Sequence, residues 1–408
     1  MNNDNQHIPS GYKPSPLGII PEDWEMKRLE EVCINDGDYG LNAPATDYDK
    51  NLPTYLRITD IDDDGNFNQS DKKSVNSPLS ENYFLKDGDI VFARTGATVG
   101  KTYLYDKNDG ELVYAGFLIK FTPDKERILP YYLKSQTNTK EYANWVSITS
   151  QRSGQPGINA AEYCSYKFVL PPLAEQKRIC DLLSLWDTAI AKQTALIEQL
   201  TLRKRGLMQQ LLTGKKRLKG FEGGTFHRLG NYITECNRRN NGCNRVLSVT
   251  NTRGFILQEE QFDKIVASND TSNYKIVRRG EFAYNPSRVN VGSLAMLNEY
   301  HEGILSPMYI VFKANENIDK SYLLQSLQSW WFRGHIPAYT QGSVRDSLSF
   351  DGLCSMKFYI PTLQEQKAIS AILERADKEI GLQKQKLTAL QEQKKGLMQV
   401  LLTGKRRI

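Results

Sequence analysis

The sequence predicts an α+β protein with an internal pseudo-two-fold repeat, in which two mixed α/β domains are separated by two long helices that form an antiparallel coiled coil. Residues 170–218 and 360–408 match at 22 of 49 positions at a constant offset of 190. This period exceeds the roughly 20–50 residues of a solenoid repeat, so it indicates two domain-sized halves that carry the same element. Fainter matches link residues 88–100 with residues 280–292.

The predicted domains alternate with the two helix copies along the chain. The first domain is assigned to residues 1–169 and the second to 218–359, while the helices take residues 170–217 and 360–408. Short apolar and β-branched runs between glycine, asparagine and aspartate turns predict strands at residues 56–59, 89–93, 118–121, 247–250 and 309–312. Helices within the domains are predicted at residues 131–146 and 321–332.

Each helix copy has the boundaries and the apolar spacing of a coiled-coil helix. Proline near the start and glycine past the end limit both copies, at Pro171 and Gly214 and at Pro361 and Gly404. Apolar residues recur at mixed three- and four-residue steps, which predicts a seam. About 38 helical residues would extend roughly 60 Å. Each copy is the obvious partner of the other, and related halves that face each other across a dyad would pair antiparallel.

Polar residues interrupt this seam at equivalent places. They are Gln193 and Lys204 in the first copy and Gln383 and Lys394 in the second. Polar seam residues lower stability and specify register. The paired helices are therefore expected to act as a rigid spacer between the two domains.

Composition limits the class of protein. At 408 residues the chain is too long for one core, and 39% hydrophobic and 10% aromatic residues are typical of a soluble globular protein. No stretch approaches 18 apolar residues and the first residues lack a signal-peptide core, so the sequence predicts a cytoplasmic protein that does not enter a membrane. The cysteines form no C-x-x-C pair and the four histidines are scattered, so no metal site is expected.

Positive charge is concentrated in the helix copies. The chain carries a net charge of +6, each copy carries +5, and the rest of the chain is therefore about −4. Two explanations stay open. The cations could complement a helix C-terminus and solvate its face, or they could face nucleic-acid phosphates.

Three motifs resemble catalytic or metal sites, and each lacks an essential part. Residues 96–102 (GATVGKT) are one residue short of the phosphate-binding loop G-x-x-x-x-G-K-[ST]. Residues 60–65 have the spacing of a calcium loop without the glutamate at its twelfth position. Residues 285–288 (NPSR) lack the aromatic residue of the N-P-P-[YF] signature of amino-methyltransferases. The sequence therefore predicts no catalytic residue, no metal ligand and no cofactor in this chain.

Side chains suited to reading DNA bases cluster in glycine-rich loops of both halves, since Arg, Asn, Gln, Ser and Thr can hydrogen-bond to base edges. The candidates in the first half are Arg94, Thr98, Lys101, Gln151, Arg152 and Gln155. The candidates in the second half are Asn285, Arg288, Asn290, Gln341, Ser343 and Arg345. Each could instead be a solvated loop residue. Recurrence at equivalent places in both halves supports a pair of DNA-binding sites as strongly as the other explanation, so both stay open.

Together these features resemble the specificity subunit of type I restriction–modification enzymes, over nearly the whole chain. The resemblance rests on residues 173–177 (LAEQK), 363–367 (LQEQK), the LLTGK ends at 211–215 and 401–405, and the domain start at 20–29. The second domain departs from the usual start, because residues 221–224 (FEGG) lack a tryptophan.

The resemblance implies a protein without chemistry of its own. Each domain would be a target-recognition domain that reads one half of a bipartite, asymmetric double-stranded DNA sequence, and the coiled coil would set the spacing of the halves. Two modification (methyltransferase) subunits and two restriction (endonuclease and translocase) subunits would complete the complex. S-adenosylmethionine, ATP and Mg would belong to those partner subunits.

The helix ends are the implied partner-binding surface. The candidates are Leu207, Leu211, Leu212, Leu397, Leu401 and Leu402. The alternative is that these leucines only close the coiled coil. A rival function of a different class also stays open, namely a duplicated coiled-coil scaffold that assembles proteins and never reads DNA. Sequence-selective DNA binding by a complete complex would discriminate the two.

Overall fold

The structure is a computed structural model that describes residues 8–152, 154–260, 270–340 and 347–408. The chain divides into two compact units. Unit 1 consists of Met1–Lys192 and Leu387–Ile408, and unit 2 consists of Gln193–Lys386. Each unit therefore contains one mixed α/β domain together with part of each long helix.

The domain of unit 1 consists of short strands, then short helices and a last strand. Its strands are β1 (Tyr12–Ser15), β2 (Gly18–Pro21), β3 (Glu25–Arg28), β4 (Asp38–Tyr39), β5 (Thr46–Asp47), β6 (Thr54–Leu56), β7 (Lys73–Ser74), β8 (Ile90–Ala93), β9 (Thr102–Leu104), β10 (Leu112–Tyr114), β11 (Leu118–Phe121) and β12 (Lys167–Leu170). Its helices are α1 (Pro130–Gln136), α2 (Lys140–Thr149) and α3 (Ala160–Cys164). The long helix α4 (Leu173–Leu211) follows β12 and continues into unit 2.

The central sheet of unit 1 is antiparallel and has the order β4-β11-β8-β9. Strand β8 is buried on both faces, because successive side chains of a strand point to opposite sides. Ile90 and Phe92 face the main core, whereas Val91 and Ala93 face a second core. The second core lies against a mixed sheet with the order β10-β6-β7-β5, and β12 pairs with β3 immediately before α4.

The domain of unit 2 repeats this plan. Its strands are β13 (Thr225–Arg228), β14 (Ile233–Glu235), β15 (Leu247–Thr250), β16 (Gly254–Leu257), β17 (Lys275–Arg278), β18 (Phe282–Tyr284), β19 (Leu294–Met296), β20 (Glu302–Leu305), β21 (Ile310–Ala314) and β22 (Lys357–Ile360). Its helices are α5 (Lys320–Gln328), α6 (Trp330–His335), α7 (Phe350–Ser355) and the long α8 (Leu363–Leu401), which continues into unit 1.

The central sheet of unit 2 matches that of unit 1 strand for strand. Its order is β14-β21-β18-β19, it is antiparallel, and β13 pairs with β22 just before α8 begins. Phe282 and Tyr284 of β18 face the main core of the unit, while Ala283 faces a second core. The predicted α+β class with an internal repeat is therefore confirmed.

The long helices α4 and α8 run antiparallel within each unit. In unit 2, Lys204 Nζ lies 2.6 Å from Asp377 Oδ1, and thirteen residues further along the chain Arg217 pairs with Glu365. As the residue number rises along the first helix copy, the residue number of its partner in the second copy falls. In unit 1, Asp187 accepts a hydrogen bond from Lys394 and Glu175 accepts hydrogen bonds from Arg407.

The polar seam residues pair with each other or with aspartates. Gln193 Nε2 donates to Gln383 Oε1 at 2.8 Å and to the Gln383 carbonyl oxygen at 3.1 Å. Lys204 and Lys394 bind the aspartates named above. A polar seam residue that has a partner in one alignment loses it when the helices slide, which specifies register.

The repeated Glu-Gln pair at each helix start ties the helix to its domain. Gln176 is fully buried; its Oε1 accepts from the backbone N–H of Leu129 at 2.9 Å, and its Nε2 donates to the carbonyls of Arg127 and Pro171 at 3.0 and 2.9 Å. Gln366 makes the equivalent bonds in unit 2. A single amide thus satisfies three backbone groups at the junction of domain and helix.

The repeated LLTGK ends require glycine for two reasons. Gly214 and Gly404 have φ of +70° and +73°, a region that favours glycine. A Cβ atom at Gly214 would also lie 2.6 Å from the ring of Tyr359, and one at Gly404 would lie 2.7 Å from Pro21. The glycine therefore allows the chain after each long helix to turn back closely onto the domain.

Several local predictions differ from the structure. The predicted helices at 131–146 and 321–332 are each two helices, because Thr139 and Ser329 cap the second one with their side chains. The predicted strand at 56–59 ends at Leu56, and the next residues form a 3₁₀ turn closed by Arg57 and Asp60. The four-part division into domains and helices stays a prediction. No helix in the described ranges is long and apolar enough to cross a membrane.

Candidate nucleic-acid interface

Two loops of unit 1 bring the predicted DNA-binding residues of the first half to one surface. The first, residues 94–101, follows β8, and the second, of which residues 150–152 and 154–158 are described, lies between α2 and α3. The backbone N–H of Ile158 donates to the Arg94 carbonyl at 2.9 Å, and that of Gly96 donates to the Pro156 carbonyl at 3.0 Å. The candidates of residues 94–101 and those of residues 151–155 therefore lie on loops that contact each other.

The three cations of this surface differ in what already binds them. Lys101 Nζ lies 2.7 Å from Asp63 Oδ1. Arg152 pairs with Glu162 and donates to the carbonyls of Thr149 and Gln151 at 2.9 Å. The guanidinium of Arg94 lies over the ring of Tyr39, with Cζ 4.8 Å from the ring centroid.

The uncharged candidates of unit 1 also differ in exposure. Gln151 and Gln155 are exposed, and Gln155 Nε2 lies beside Gly96, 3.0 Å from where a Cβ atom would stand. Thr98 is half-buried, and its hydroxyl donates to the Thr95 carbonyl at 3.3 Å. The two glutamines therefore have side chains available for hydrogen bonds to a ligand.

Unit 2 has an equivalent loop with other side chains. The backbone N–H of Leu348 donates to the Pro286 carbonyl at 3.1 Å, so Pro286 occupies the place that Arg94 has in unit 1. Arg288 and Asn290 are exposed, and Asn290 Oδ1 accepts from the backbone N–H of Val291 at 2.9 Å. Gln341, Ser343 and Arg345 lie outside the described residues.

Asn285 belongs to the scaffold of this loop. It is 9% exposed, its Oδ1 accepts from the backbone N–H of Ser287 at 3.0 Å, and its Nδ2 points to Met308 Sδ at 3.6 Å. An asparagine that bonds to the backbone two residues on closes a turn. The Asn285 side chain therefore stabilises the loop that carries Arg288 and Asn290.

The acidic segment of unit 1 is a turn. Asp62 Oδ1 accepts from the backbone N–H groups of Asp64 and Asn66 at 3.0 and 2.8 Å, and Asp60 binds Arg57. Within the described part of the chain, no three His, Cys, Asp or Glu side chains are grouped closely enough to hold a metal ion.

A buried lysine that sequence analysis missed lies next to the 94–101 loop. Lys134 of α1 lines a cavity of about 260 Å³, and its Nζ donates to the carbonyl and the hydroxyl oxygens of Thr102 at 3.0 and 2.9 Å. Burial lowers the pKa of Lys134 to about 8, and the carboxylates of Asp62 and Asp64 partly oppose this shift. A lysine in a short helix normally faces solvent, so the sequence carried no signal for its burial.

The stability of unit 1 is expected to rise between about pH 8 and pH 10 through Lys134. Below pH 8 the side chain is protonated in both states, and the folded state carries the full cost of a buried cation. Above pH 8 the folded protein releases this proton, while the unfolded chain keeps it up to about pH 10.4. The unfolded state then binds more protons, so the free energy of unfolding increases, by about 3 kcal/mol at most.

This increase can be measured as a difference between variants. Hydrogen exchange of α1 in urea at about pH 7.5 and pH 9.5 would compare the wild type with Lys134→Met. The comparison also cancels the contribution of buried tyrosines and cysteines. Burial raises the pKa of these groups, so they lower the free energy of unfolding as the pH rises. Lys140→Met, which removes an exposed lysine, serves as the control. An unchanged pH dependence in Lys134→Met would contradict the assignment.

The leucines at the helix ends lie mainly in the cores. Leu211 and Leu212 are 4% and 6% exposed in the core of unit 2, and Leu401 and Leu402 are fully buried in the core of unit 1. These four stabilise the packing of the helix on its domain and present no surface to a partner in this structure. Partner binding by Leu207 and Leu397, which are half-buried, stays a prediction.

Comparisons with known proteins agree on one family. The family described as type I restriction modification DNA specificity domain matches residues 21–202 and again residues 231–392. The protein assigned as specificity subunit of the type I restriction enzyme MjaX of Methanocaldococcus jannaschii is 25% identical over 436 aligned positions, which cover 97% of each chain. The MjaVIII specificity subunit of the same organism is 24% identical and covers 95% of this chain and 94% of its own.

Solved structures show the same fold. A chain from a study of complex assembly and conformational transition of the type I R-M system superposes with a TM-score of 0.57, at 17% identity, over 95% of this chain and 99% of its own. The S subunit of a type I restriction–modification system from M. genitalium gives a TM-score of 0.51, at 14% identity, over 93% and 96%. With two family matches that together cover most of its length, this chain belongs to the specificity subunits of type I restriction–modification systems.

Proposed function

We propose that the chain reads a bipartite, asymmetric DNA sequence, with one recognition domain for each half-site. The observation that carries this proposal is the pair of equivalent loops after β8 and β18. The same backbone hydrogen bond holds each loop, from Ile158 to Arg94 in unit 1 and from Leu348 to Pro286 in unit 2. The polar side chains on the two loops differ. Equivalent scaffolds with different polar side chains suit the recognition of two different base sequences.

The partners in this proposal are double-stranded DNA, two modification subunits and two restriction subunits. Unit 2 contains the half-buried Leu207 and unit 1 contains its equivalent, the half-buried Leu397, so each unit offers related residues to one copy of a partner. The modification subunits would use S-adenosylmethionine, the restriction subunits would use ATP and Mg, and this chain would contribute no catalytic group. The complex would act in the cytoplasm, on DNA.

Mapping of methylated adenines tests the proposal directly. Cells would express this chain with its modification subunit, and long-read sequencing would locate modified adenines. One bipartite methylated motif is the expected result, and it would identify both half-sites at once. No motif, with an active modification subunit bound to this chain, would overturn the proposal in favour of a protein scaffold.

Lys101→Ala is expected to weaken DNA binding and to reduce its dependence on salt. Each phosphate contact by a cation contributes a slope of about −0.9 to the plot of log K against log salt concentration. The loss should be the same for cognate and noncognate DNA, because a phosphate contact carries no sequence information. Titration of DNA with the complete modification complex at several salt concentrations measures both effects.

Asp63→Asn is the matched control for this prediction. Asp63 is exposed and pairs with Lys101, so its removal frees the lysine charge. This variant should therefore bind DNA more tightly, with a steeper salt dependence. If Lys101→Ala left the slope unchanged, or changed the motif instead, Lys101 would not contact phosphate.

A further inference from the structure

The guanidinium of Arg94 differs from the other cations of its surface in having its hydrogen-bond donors free. Within residues 8–152, 154–260, 270–340 and 347–408 it makes no hydrogen bond or ion pair, whereas Lys101 and Arg152 are paired with Asp63 and Glu162. Its contact is with the ring of Tyr39. Arg94 therefore keeps five N–H donors for a ligand.

The backbone of Arg94 is held on both sides. Its N–H donates to the Phe117 carbonyl at 3.0 Å, and its carbonyl accepts from the N–H of Ile158 at 2.9 Å. These bonds connect the loop to the turn before β11 and to the segment before α3. The Cα–Cβ direction of Arg94 is thus set by two other segments of unit 1.

Tyr39 is fixed as firmly as the arginine that stacks on it. It lies in β4, where it pairs with Ile119 of the central sheet. Its hydroxyl oxygen accepts from the backbone N–H of Ala160, at the start of α3, at 3.1 Å. The ring therefore forms a fixed platform for the guanidinium that lies over it, and the N–H donors of that guanidinium stay free.

We propose that Arg94 reads a guanine in the first half-site and that Tyr39 positions it. A planar guanidinium can donate two parallel hydrogen bonds to O6 and N7 of guanine in the major groove, and this geometry requires a defined plane. A phosphate contact requires charge alone, which Lys101 and Arg152 supply on the same surface. Unit 2 has Pro286 at the equivalent place, so the reading by Arg94 is confined to one half-site.

This inference rests on the proposed function, and one experiment separates the two. Methylated adenines would be mapped in cells expressing the modification subunit with the wild type, Arg94→Ala, Arg94→Lys or Tyr39→Leu. A good bidentate contact discriminates against the wrong base by about 5- to 150-fold. In Arg94→Ala and Arg94→Lys, one G·C pair of the first half-site is expected to become degenerate by this factor, while the second half-site is unchanged.

Tyr39→Leu is expected to relax the same base pair to a smaller extent, since the arginine stays but loses its platform. Tyr39→Phe, which keeps the ring, should stay closer to the wild type than Tyr39→Leu does. Arg245→Ala is the matched control: Arg245 is stacked on Tyr300 at 4.9 Å, and its Nη1 is bound to the Glu302 carbonyl at 3.0 Å. Its removal should leave the motif intact.

Several outcomes would overturn the assignment. An unchanged motif in Arg94→Ala, or a change in the second half-site, would exclude Arg94 as a reader of the first. A uniform loss of methylation with rescue by Arg94→Lys would make it a phosphate contact. If the wild type itself produced no motif, the proposed function would fail, and this assignment with it.

Discussion

Arg407→Ala is expected to destabilise unit 1 by about 3 kcal/mol, because it leaves a buried carboxylate without its cation. Glu175 is 2% exposed and accepts hydrogen bonds from Arg407 Nε and Nη2 at 3.1 and 2.6 Å. The same guanidinium reaches Asp23 at 2.9 and 2.8 Å. After its removal, Trp24 Nε1, at 3.1 Å, would still donate to Glu175, which limits the loss.

Hydrogen exchange measured by mass spectrometry on the whole chain locates this effect. Protection should fall in residues 173–192 and 387–408 and stay unchanged in the domain of unit 2. A second substitution, Glu175→Gln, removes the unpaired charge and should restore much of the lost stability. Equal protection in Arg407→Ala and the wild type would show that the Arg407–Glu175 pair contributes nothing to unit 1.

Replacement of residues 218–359 by the second domain of a relative with another target is expected to change one half of the methylated motif. The first half-site should be retained, because the loops that carry Arg94 and Gln155 stay in place. The long helices stay as well, since Leu211, Leu212, Ile369 and Leu373 complete the core of unit 2. Leu211 and Leu212 recur as Leu401 and Leu402 in the second copy of the helix. A donor domain from a relative is therefore expected to fit the helix surface that these leucines form.

The reciprocal exchange of residues 1–169 is the control for this experiment, and it should change the other half-site alone. Mapping of methylated adenines measures both exchanges, and the hybrid must first be shown to bind its modification subunit. A hybrid that altered both half-sites would contradict the modular reading of the target.

The sequence by itself determined the repeat, the helix boundaries and the place of the candidate loops. Helices α4 and α8 begin two residues after Pro171 and Pro361, and Gly214 and Gly404 end their last turns. These features depend on residues close in sequence, on helical periodicity and on the conformational limits of proline and glycine. Identity between the two copies then indicated that they pair, and the paired residues of each unit confirm this.

Only the tertiary structure decided which candidate side chains are free to act. Lys101 and Arg152 form ion pairs with Asp63 and Glu162, whereas the guanidinium of Arg94 lies over the ring of Tyr39, 55 residues earlier in the chain. The burial of Lys134 and of the helix-end leucines was equally hidden in the sequence. The reason is physical: exposure and charge pairing depend on neighbours that the fold brings from distant parts of the chain, and no local pattern of residues records those neighbours.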